Sequence, residues 1–283
     1  MDARMREVSF TLPHITLSGI SQGDESKPTL LLLHGWLDNA ASFIPLLPFI
    51  KDYHVVAIDW PGHGYSMHRP SGASYHLTDY VNDLYVLIAQ QNWQSLHIIG
   101  HSLGAIVASL FASAFPEKLD KLVLIEALGP LTANENQTTS ILRKSILSQH
   151  KAQTKRKPVH DSTESAVAAR LAVSDFGLEQ AKLLVERSIT PVEGGVTWRG
   201  DRRLRNLSPW RMTESQAHDV LNSISSDTLL ILAEQGYIHL RTGIKQRQLM
   251  VEKLSIKSVA GGHHVHMESP QCVWQYIEQH LMK

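Results

Sequence analysis

The sequence has little of several features that would place a protein in a specialised class. One cysteine, Cys272, occurs among 283 residues, so no disulfide can form within the chain and nothing depends on an oxidising compartment. Lys plus Arg total 27 and Asp plus Glu total 27, which gives a formal net charge of zero. Such a chain has no global field to attract nucleic acid or an anionic membrane. We therefore expect no nucleic-acid partner.

Long hydrophobic runs are also missing. No stretch approaches the roughly 18 apolar residues that a membrane-spanning helix needs. Residues 1–10 alternate charged and apolar side chains and lack the continuous apolar segment of a signal peptide. We predict a cytoplasmic protein with no membrane span. With 283 residues and 43% hydrophobic content, the chain is long enough for one large domain with a substantial core.

Short apolar runs that are rich in Leu, Ile and Val indicate buried strands. They are apolar at both alternate positions, which is typical of parallel strands covered on both faces. The runs cover residues 30–33, 53–58, 96–99 and 122–125, and the strand pattern resumes in the second half of the chain at residues 228–233 and 254–259. More amphipathic runs at residues 8–12 and 14–20 predict a hairpin at the sheet edge.

Segments of helical periodicity lie between the buried runs of the first half, at residues 40–50, 76–91 and 103–115. Repeated βαβ units of this kind predict an α/β fold with a mostly parallel, doubly wound sheet of about eight strands. Ligand sites in such folds lie at the carboxyl ends of the strands.

The strand pattern is interrupted over residues 129–216. Polar helical segments at 137–151, 162–173 and 178–187 follow one another there without buried strands between them. We predict a helical lid inserted after strand six, between a first core part (1–128) and a second core part (217–283). A final amphipathic helix is expected at residues 271–282.

The strongest chemical motif follows the strand at residues 96–99. The segment from Gly100 to Gly104 reads G-H-S-L-G and leads into a helix of small residues. A serine between glycines on a sharp strand-to-helix turn presents its hydroxyl at the helix N-terminus, where developing negative charge is stabilised. We predict that Ser102 is a nucleophile.

Together with further motifs, this segment resembles the α/β-hydrolase family. His34-Gly35-Trp36 is similar to the family's oxyanion turn, and residues 59–66 (D-W-P-G-H-G-Y-S) and 262–270 (G-H-H-V-H-M-E-S-P) are similar to two of its loops. HGWLDNAASF from His34, DWPGHGYSMHRP from Asp59 and WRGDRRL from Trp198 resemble the serine hydrolase-like subgroup. The resemblance covers nearly the whole chain and implies an α/β-hydrolase fold that needs no cofactor.

A serine hydroxyl is a weak nucleophile until a base takes its proton, and three histidines of the last loop compete for that role. In the family, the base follows a glycine and precedes an acidic residue by five positions, which selects His263 through Glu268. His264 and His266 are then packing or hydrogen-bonding groups. A metal site of His263, His264, His266 and Glu268 is the competing reading, but adjacent loop residues rarely face one centre, and we expect no metal.

The acid that orients the base departs from the family's common pattern. Relatives usually place an aspartate just after strand seven, where this chain reads A-E-Q-G and has Gly236 in the aspartate's position. A minority supply the acid at the end of strand six, and Glu126 directly follows residues 122–125. A carboxylate at the tip of a buried strand must face the cleft or be paired. We favour Glu126 and keep Glu234 as the alternative.

The predicted site thus has Ser102 as nucleophile, His263 as base and Glu126 as acid, with the backbone N–H groups of Trp36 and Leu103 as the oxyanion hole. The predicted function is serine-dependent hydrolysis of a small ester or related acyl substrate through an acyl-enzyme, as in an esterase. Two alternatives stay open. One is hydrolysis of a carbon–carbon bond by the same triad, and the other is a non-catalytic ligand-binding relative, which the missing aspartate favours.

A cluster of arginines near the end of the insertion has two readings. The cluster consists of Arg199, Arg202, Arg203, Arg205 and Arg211. Guanidinium groups match carboxylates and phosphates, so the cluster could hold an anionic substrate. Because Asp201 and Glu193 lie in the same stretch, we favour an ion-paired surface.

Overall fold

The computed structural model describes residues 5–93, 95–153, 157–237 and 243–283. Its strands are, in chain order, β1 (Arg6–Thr11), β2 (Thr16–Gln22), β3 (Thr29–Leu33), β4 (His54–Ile58), β5 (Leu96–His101), β6 (Lys121–Ile125), β7 (Val159–His160), β8 (Ile189–Val192), β9 (Gly195–Trp198), β10 (Asp227–Ala233) and β11 (Leu254–Val259).

One eight-stranded sheet forms the centre of the molecule, in the order β1-β2-β4-β3-β5-β6-β10-β11. Strand β2 pairs antiparallel with β1 and β4, and the other neighbours are parallel. The predictions of a mostly parallel sheet of about eight strands and of an N-terminal hairpin at its edge are confirmed. The carboxyl ends of β3, β5, β6 and β10 lie side by side, which brings the loops that follow them together.

Burial explains why the parallel strands are apolar at successive positions. All five residues of β3 are buried, and their side chains alternate between two apolar clusters, one on each face of the sheet. Leu31 and Leu33 pack with Phe111 on one face, whereas Leu30 and Leu32 pack with Phe43 on the other. Each fully buried leucine contributes about 1.5–3 kcal/mol of stability. The sheet is thus a rigid platform for the loops at its carboxyl edge.

The helices are, in chain order, α1 (Leu77–Gln90), α2 (Leu103–Ala114), α3 (Thr138–Gln153), α4 (Thr163–Leu171), α5 (Leu178–Ser188), α6 (Glu214–Asn222), α7 (Ile244–Arg247), α8 (Val265–Glu268) and α9 (Pro270–Leu281). The segment expected to be helical at residues 40–50 is a 3₁₀ helix, Ala40–Phe49. Pro45 and Pro48 lie inside it and lack the N–H groups that an α-helix would use. Among the described residues, no helix has the length and apolar character needed to cross a membrane.

The segment of residues 129–216, called the lid region below, leaves the sheet after β6, and the chain returns to it at β10. It contains α3, α4, α5 and the start of α6, as the helical pattern predicts. No buried strand lies between these helices in the described part of the segment, but β7, β9 and β8 form a small antiparallel sheet that the pattern does not indicate. These strands are short and partly exposed, so they lack the apolar runs of the core strands. The division of the chain into two core parts and a lid domain stays a prediction.

Candidate active site

Ser102 lies on a strained turn between β5 and α2. Its backbone has φ 51° and ψ −111°, a conformation that non-glycine residues rarely adopt. The flanking glycines are required by close backbone contacts: a Cβ on Gly104 would lie 1.9 Å from the carbonyl oxygen of Leu33, and one on Gly100 would lie 2.5 Å from Gly104. The turn therefore brings helix, strand and serine closer together than side chains would allow, and it places Ser102 at the N-terminus of α2.

Two backbone N–H groups are available beside this serine. Leu103 is the first residue of α2, and Trp36 lies in the turn after β3. Among the residues that the structure describes, neither of these two N–H groups has a hydrogen-bond acceptor. The turn at Trp36 is held by Leu37, which has φ 62° and donates its own N–H to Nε2 of His63 at 3.2 Å. Free, preorganised N–H groups are what an oxyanion requires.

Glu126 follows β6 directly and is almost completely buried, with 1% of its surface exposed. Its backbone φ is 63°, the left-handed region that is costly for a residue with a Cβ. Its Oε1 accepts a hydrogen bond from the N–H of Ala233 at 2.7 Å, and its Oε2 lies 3.2 Å from Nδ1 of His263. With Nδ1 donating to this carboxylate, Nε2 of His263 is left as the basic nitrogen.

Gly236 gives the physical reason for this departure from the family pattern. A Cβ at Gly236 would lie 1.8 Å from Oε2 of Glu126 and 2.6 Å from Oε1. Any side chain at the usual aspartate position would therefore collide with the carboxylate that comes from β6. The side chain of Glu234, the alternative acid, is exposed. The structure thus brings Glu126 to His263 through space that a glycine leaves open.

The backbone of His263 is fixed by residues from two other parts of the fold. Its N–H donates to Oδ2 of Asp175, which lies between α4 and α5. Its carbonyl oxygen accepts from Nε2 of His101, the residue before Ser102, at 2.9 Å. The ring of Tyr237 stacks on the imidazole with centroids 4.2 Å apart and an angle of 19°. These contacts place the histidine beside the turn that carries Ser102.

His264, the next residue, is held between two carboxylates. Nδ1 donates to Oδ1 of Asp175 at 3.0 Å, and Nε2 donates to Oδ2 of Asp38 at 3.1 Å. Donation from both ring nitrogens requires the charged imidazolium. Burial opposes that charge, but the two carboxylates outweigh burial and raise the pKa of His264 to about 9. In turn, despite its partial burial, the hydrogen bond from His264 lowers the pKa of Asp175 to about 2.

Asp38 also joins the lid region to the turn after β3. Its Oδ1 accepts from Nη2 of Arg170 at 2.6 Å, while its Oδ2 faces His264. Sequence reasoning treated Asp38 as an acceptor within its own loop and missed Asp175 and Arg170. These two residues lie in segments without a motif, and only the tertiary fold brings Arg170 to Asp38, 132 residues away, and Asp175 to His264, 89 residues away.

The other histidines near the site are buried and uncharged. Burial holds the pKa of His101 well below its usual value, and it lowers the pKa of His266 to about 3 and that of His63 to about 3. His101 donates from Nε2, so its Nδ1 is the unprotonated nitrogen. These rings therefore pack around the site as neutral groups.

The residues of the alternative metal site in the histidine loop do not face a common centre. His263 faces Glu126, His264 faces two aspartates, and Glu268 accepts the N–H of Gly262 at 2.6 Å. A different trio, Asp38, His101 and His264, has one possible ligand atom from each residue within 4.8 Å of the others. Because both ring nitrogens of His264 already donate to carboxylates, this trio is better described as an ion-pair network.

A cavity of about 610 Å³ lies between the lid region and the turn after β3. Leu37 and Asp38 line it from the turn, and most of the remaining wall comes from residues 148–205. Ser102, Glu126 and His263 are not part of this wall. The cavity therefore adjoins the candidate site through Leu37 and Asp38, the two residues that follow Trp36.

Known proteins share this fold and much of this sequence. A family model described as "alpha/beta hydrolase fold" matches residues 28–270. The chain is 31% identical to a serine hydrolase-like protein of Danio rerio, with 97% of this chain and 88% of that protein covered. It is also 31% identical to serine hydrolase-like protein 2 of Homo sapiens, with 97% and 93% covered.

Solved structures resemble it along nearly its whole length. A hypothetical protein from Pseudomonas aeruginosa PAO1 matches with a TM-score of 0.93 at 37% identity, over 98% of this chain and 99% of that one. The thioesterase domain from the curacin biosynthetic pathway matches with a TM-score of 0.85 at 25% identity, over 98% and 99%. The likeness thus includes the lid region as well as the sheet.

Proposed function

This chain belongs to the α/β-hydrolase family, and on that premise we propose that it is a serine-dependent hydrolase of a small ester or related acyl substrate, working through an acyl-enzyme. The observation that carries the proposal is the 3.2 Å contact between Nδ1 of His263 and the buried Glu126 carboxylate, next to the strained turn of Ser102. We propose the cytoplasm as its location and a small acyl molecule as its partner.

In the first half-reaction, Oγ of Ser102 attacks the acyl carbonyl carbon while Nε2 of His263 takes the hydroxyl proton. The carbonyl oxygen becomes an oxyanion and accepts hydrogen bonds from the N–H groups of Trp36 and Leu103, each worth about 3 kcal/mol in the transition state. The intermediate collapses, the bond to the leaving group breaks, and His263 returns the proton to that group. Ser102 is left acylated.

In the second half-reaction, water attacks the acyl-enzyme and His263 takes its proton. A second oxyanion forms in the same place, the bond to Oγ breaks, and the proton on His263 returns to Ser102. Glu126 keeps its negative charge and stabilises the imidazolium in both halves. The solved thioesterase domain of similar fold supports including thioesters among the acyl substrates.

The test is a set of matched variants assayed on p-nitrophenyl esters of increasing chain length. Ser102→Ala, His263→Ala and Glu126→Gln should each lower kcat/KM on the order of 10⁴-fold, because each removes a step of proton transfer or its orientation. Glu234→Gln is the matched control for the acid and should keep most of the activity. A fluorophosphonate probe should label the wild-type protein and not Ser102→Ala.

Two results would contradict the proposal. Near-wild-type turnover by Glu126→Gln together with loss in Glu234→Gln would move the acid to Glu234. A folded wild-type protein that neither turns over any ester nor reacts with the fluorophosphonate would favour a ligand-binding relative without catalysis.

A further inference from the structure

The wall of the large cavity has more positive than negative charge. Five cationic side chains and two carboxylates contribute to it. The cations are Lys151, Lys157, Arg170, Arg202 and Arg205, and the carboxylates are Asp38 and Asp201. An excess of positive charge beside apolar surface is unfavourable unless an anion balances it.

Both carboxylates are already paired. Asp201 accepts from Nη2 of Arg203 at 2.6 Å, and Asp38 accepts from Nη2 of Arg170 at 2.6 Å and from His264 at 3.1 Å. Arg203 and His264 lie outside the cavity wall, so they use up negative charge that would otherwise balance the cations inside it.

Several donors in the wall lack an acceptor. Nε of Arg170 and Nε2 of His160 are buried, and neither has a hydrogen-bond partner within the part of the chain that the structure describes. Arg205 lies over the ring of Trp36, with Cζ 5.9 Å from the ring centroid, and within the described residues neither Arg202 nor Arg205 forms an ion pair with a carboxylate. Burial and, to a smaller extent, the nearby charge of Arg170 lower the pKa of Arg205.

The rest of the wall is largely apolar. Leu37, Val173, Leu184, Val185, Trp198 and Leu204 contribute to it. A volume of about 610 Å³ lies in the range of small-molecule sites. A fully hydrated inorganic ion would leave these apolar surfaces unused, whereas an anion on a hydrocarbon chain would contact both kinds of surface.

We propose that this cavity binds the anionic group of the substrate, a carboxylate or phosphate carried on an apolar chain, through Arg170, Arg202 and Arg205. The inference rests on the proposed function, because the anion belongs to the molecule whose acyl carbon Ser102 attacks. The cavity meets the candidate site at Leu37. A substrate's hydrocarbon chain that leaves the cavity would therefore pass the turn of Trp36, whose N–H group is a proposed oxyanion donor.

Binding can be measured without turnover in Ser102→Ala by titration calorimetry. Suberate is the anionic probe, and 1,8-octanediol is the neutral probe of the same chain length. Suberate should bind at least 10-fold more tightly, and Arg202→Gln in the Ser102→Ala background should remove most of this difference. Arg211→Gln is the matched control, because Arg211 is an exposed arginine of the same cluster outside the cavity wall, and it should change nothing.

Kinetics with Ser102 intact then identify which part of the substrate carries the anion. One arm compares a p-nitrophenyl ester that has a carboxylate at the far end of its acyl chain with the corresponding methyl-capped ester. The other compares leaving groups with and without a phosphate. In the arm that matches the natural substrate, kcat/KM should favour the anionic compound at least 10-fold, and Arg202→Gln should reduce that ratio.

The proposal is overturned if suberate and octanediol bind equally, if Arg211→Gln lowers suberate affinity as much as Arg202→Gln, or if neither kinetic arm favours the anion. Failure of the proposed function looks different. In that case the wild-type protein would turn over no ester of either kind, or ester turnover would persist in Ser102→Ala whatever the charge of the ester.

Discussion

The central sheet and the lid region are held in place by different forces. The sheet is packed between two apolar clusters, and α2 approaches it so closely that Gly104 touches the backbone of β3. The lid region has a smaller apolar cluster, which reaches the core at Met267, and its ties to the core also include ion pairs of Arg170, Asp175 and Arg187.

The nucleophile turn is thus positioned by apolar packing, whereas ion pairs help to attach the lid region. Apolar packing near the sheet does not depend on pH, so the turn of Ser102 keeps its shape as long as the core is folded. The ion pairs of the lid region involve groups that titrate, and two of them surround His264 next to the candidate base. The molecule thus combines a nucleophile turn fixed by apolar packing with a lid region that is attached partly by ion pairs.

The largest expected effect comes from the sheet. Gly104→Ala would place a Cβ 1.9 Å from the carbonyl oxygen of Leu33, and neither backbone can move without separating α2 from β3. We expect a loss of more than about 4 kcal/mol in the free energy of unfolding, measured with urea. Gly200→Ala is the control, because its Cβ would meet nothing nearer than 3.8 Å. Equal stability of the two variants would show that the close approach is unimportant.

The next effect concerns the attachment of the lid region. Arg187 lies on α5 and donates from Nε to both oxygens of the buried Asp59, at 2.9 and 3.0 Å. Arg187→Met would leave that carboxylate buried without its cation and should cost about 3–5 kcal/mol in urea unfolding. Lys182→Met, which removes an exposed pair with Glu179, should cost less than about 1 kcal/mol. A loss as small for Arg187→Met would mean that other contacts hold the lid region.

The smallest effect is a pH dependence. Since the pKa of His264 is raised from 6.5 to about 9, its stabilising contribution is complete below about pH 6.5 and is lost as the pH rises through 9. The contribution is up to about 3 kcal/mol. The stability difference between wild type and His264→Gln, followed by thermal unfolding, should therefore shrink from pH 6.5 to 9.5.

His150→Gln is the control for that profile, because His150 is exposed. It should follow the wild type at every pH. A constant difference between wild type and His264→Gln over the same range would mean that His264 is uncharged in the folded protein.

The sheet could be predicted from the sequence because its information is local. The strand Leu254–Val259 has the bounds that the sequence pattern predicts, and the serine turn has glycines at both required positions. Glu126 was favoured as the acid because a carboxylate ending a buried strand needs a partner, and it lies against His263. Its catalytic role stays a prediction.

The lid region could be predicted only in outline. Its helices have a recognisable period, but β7, β8 and β9 are too short and too exposed for their pattern to stand out. The Gly194-Gly195 pair, with positive φ at both residues, was the available hairpin signal. Asp175 and Arg170 had no signal, because their partners lie far away along the chain.

The N–H of His263 donates to Asp175, a residue of the lid region, while the carbonyl of the same residue accepts from His101. The backbone of His263 is therefore bonded both to the lid region and to the turn that carries Ser102. If the loop that carries Asp175 moves away from the core, His263 loses one of the two hydrogen bonds that hold its backbone. The position of the proposed base therefore depends on contact between the lid region and the loop that follows β11.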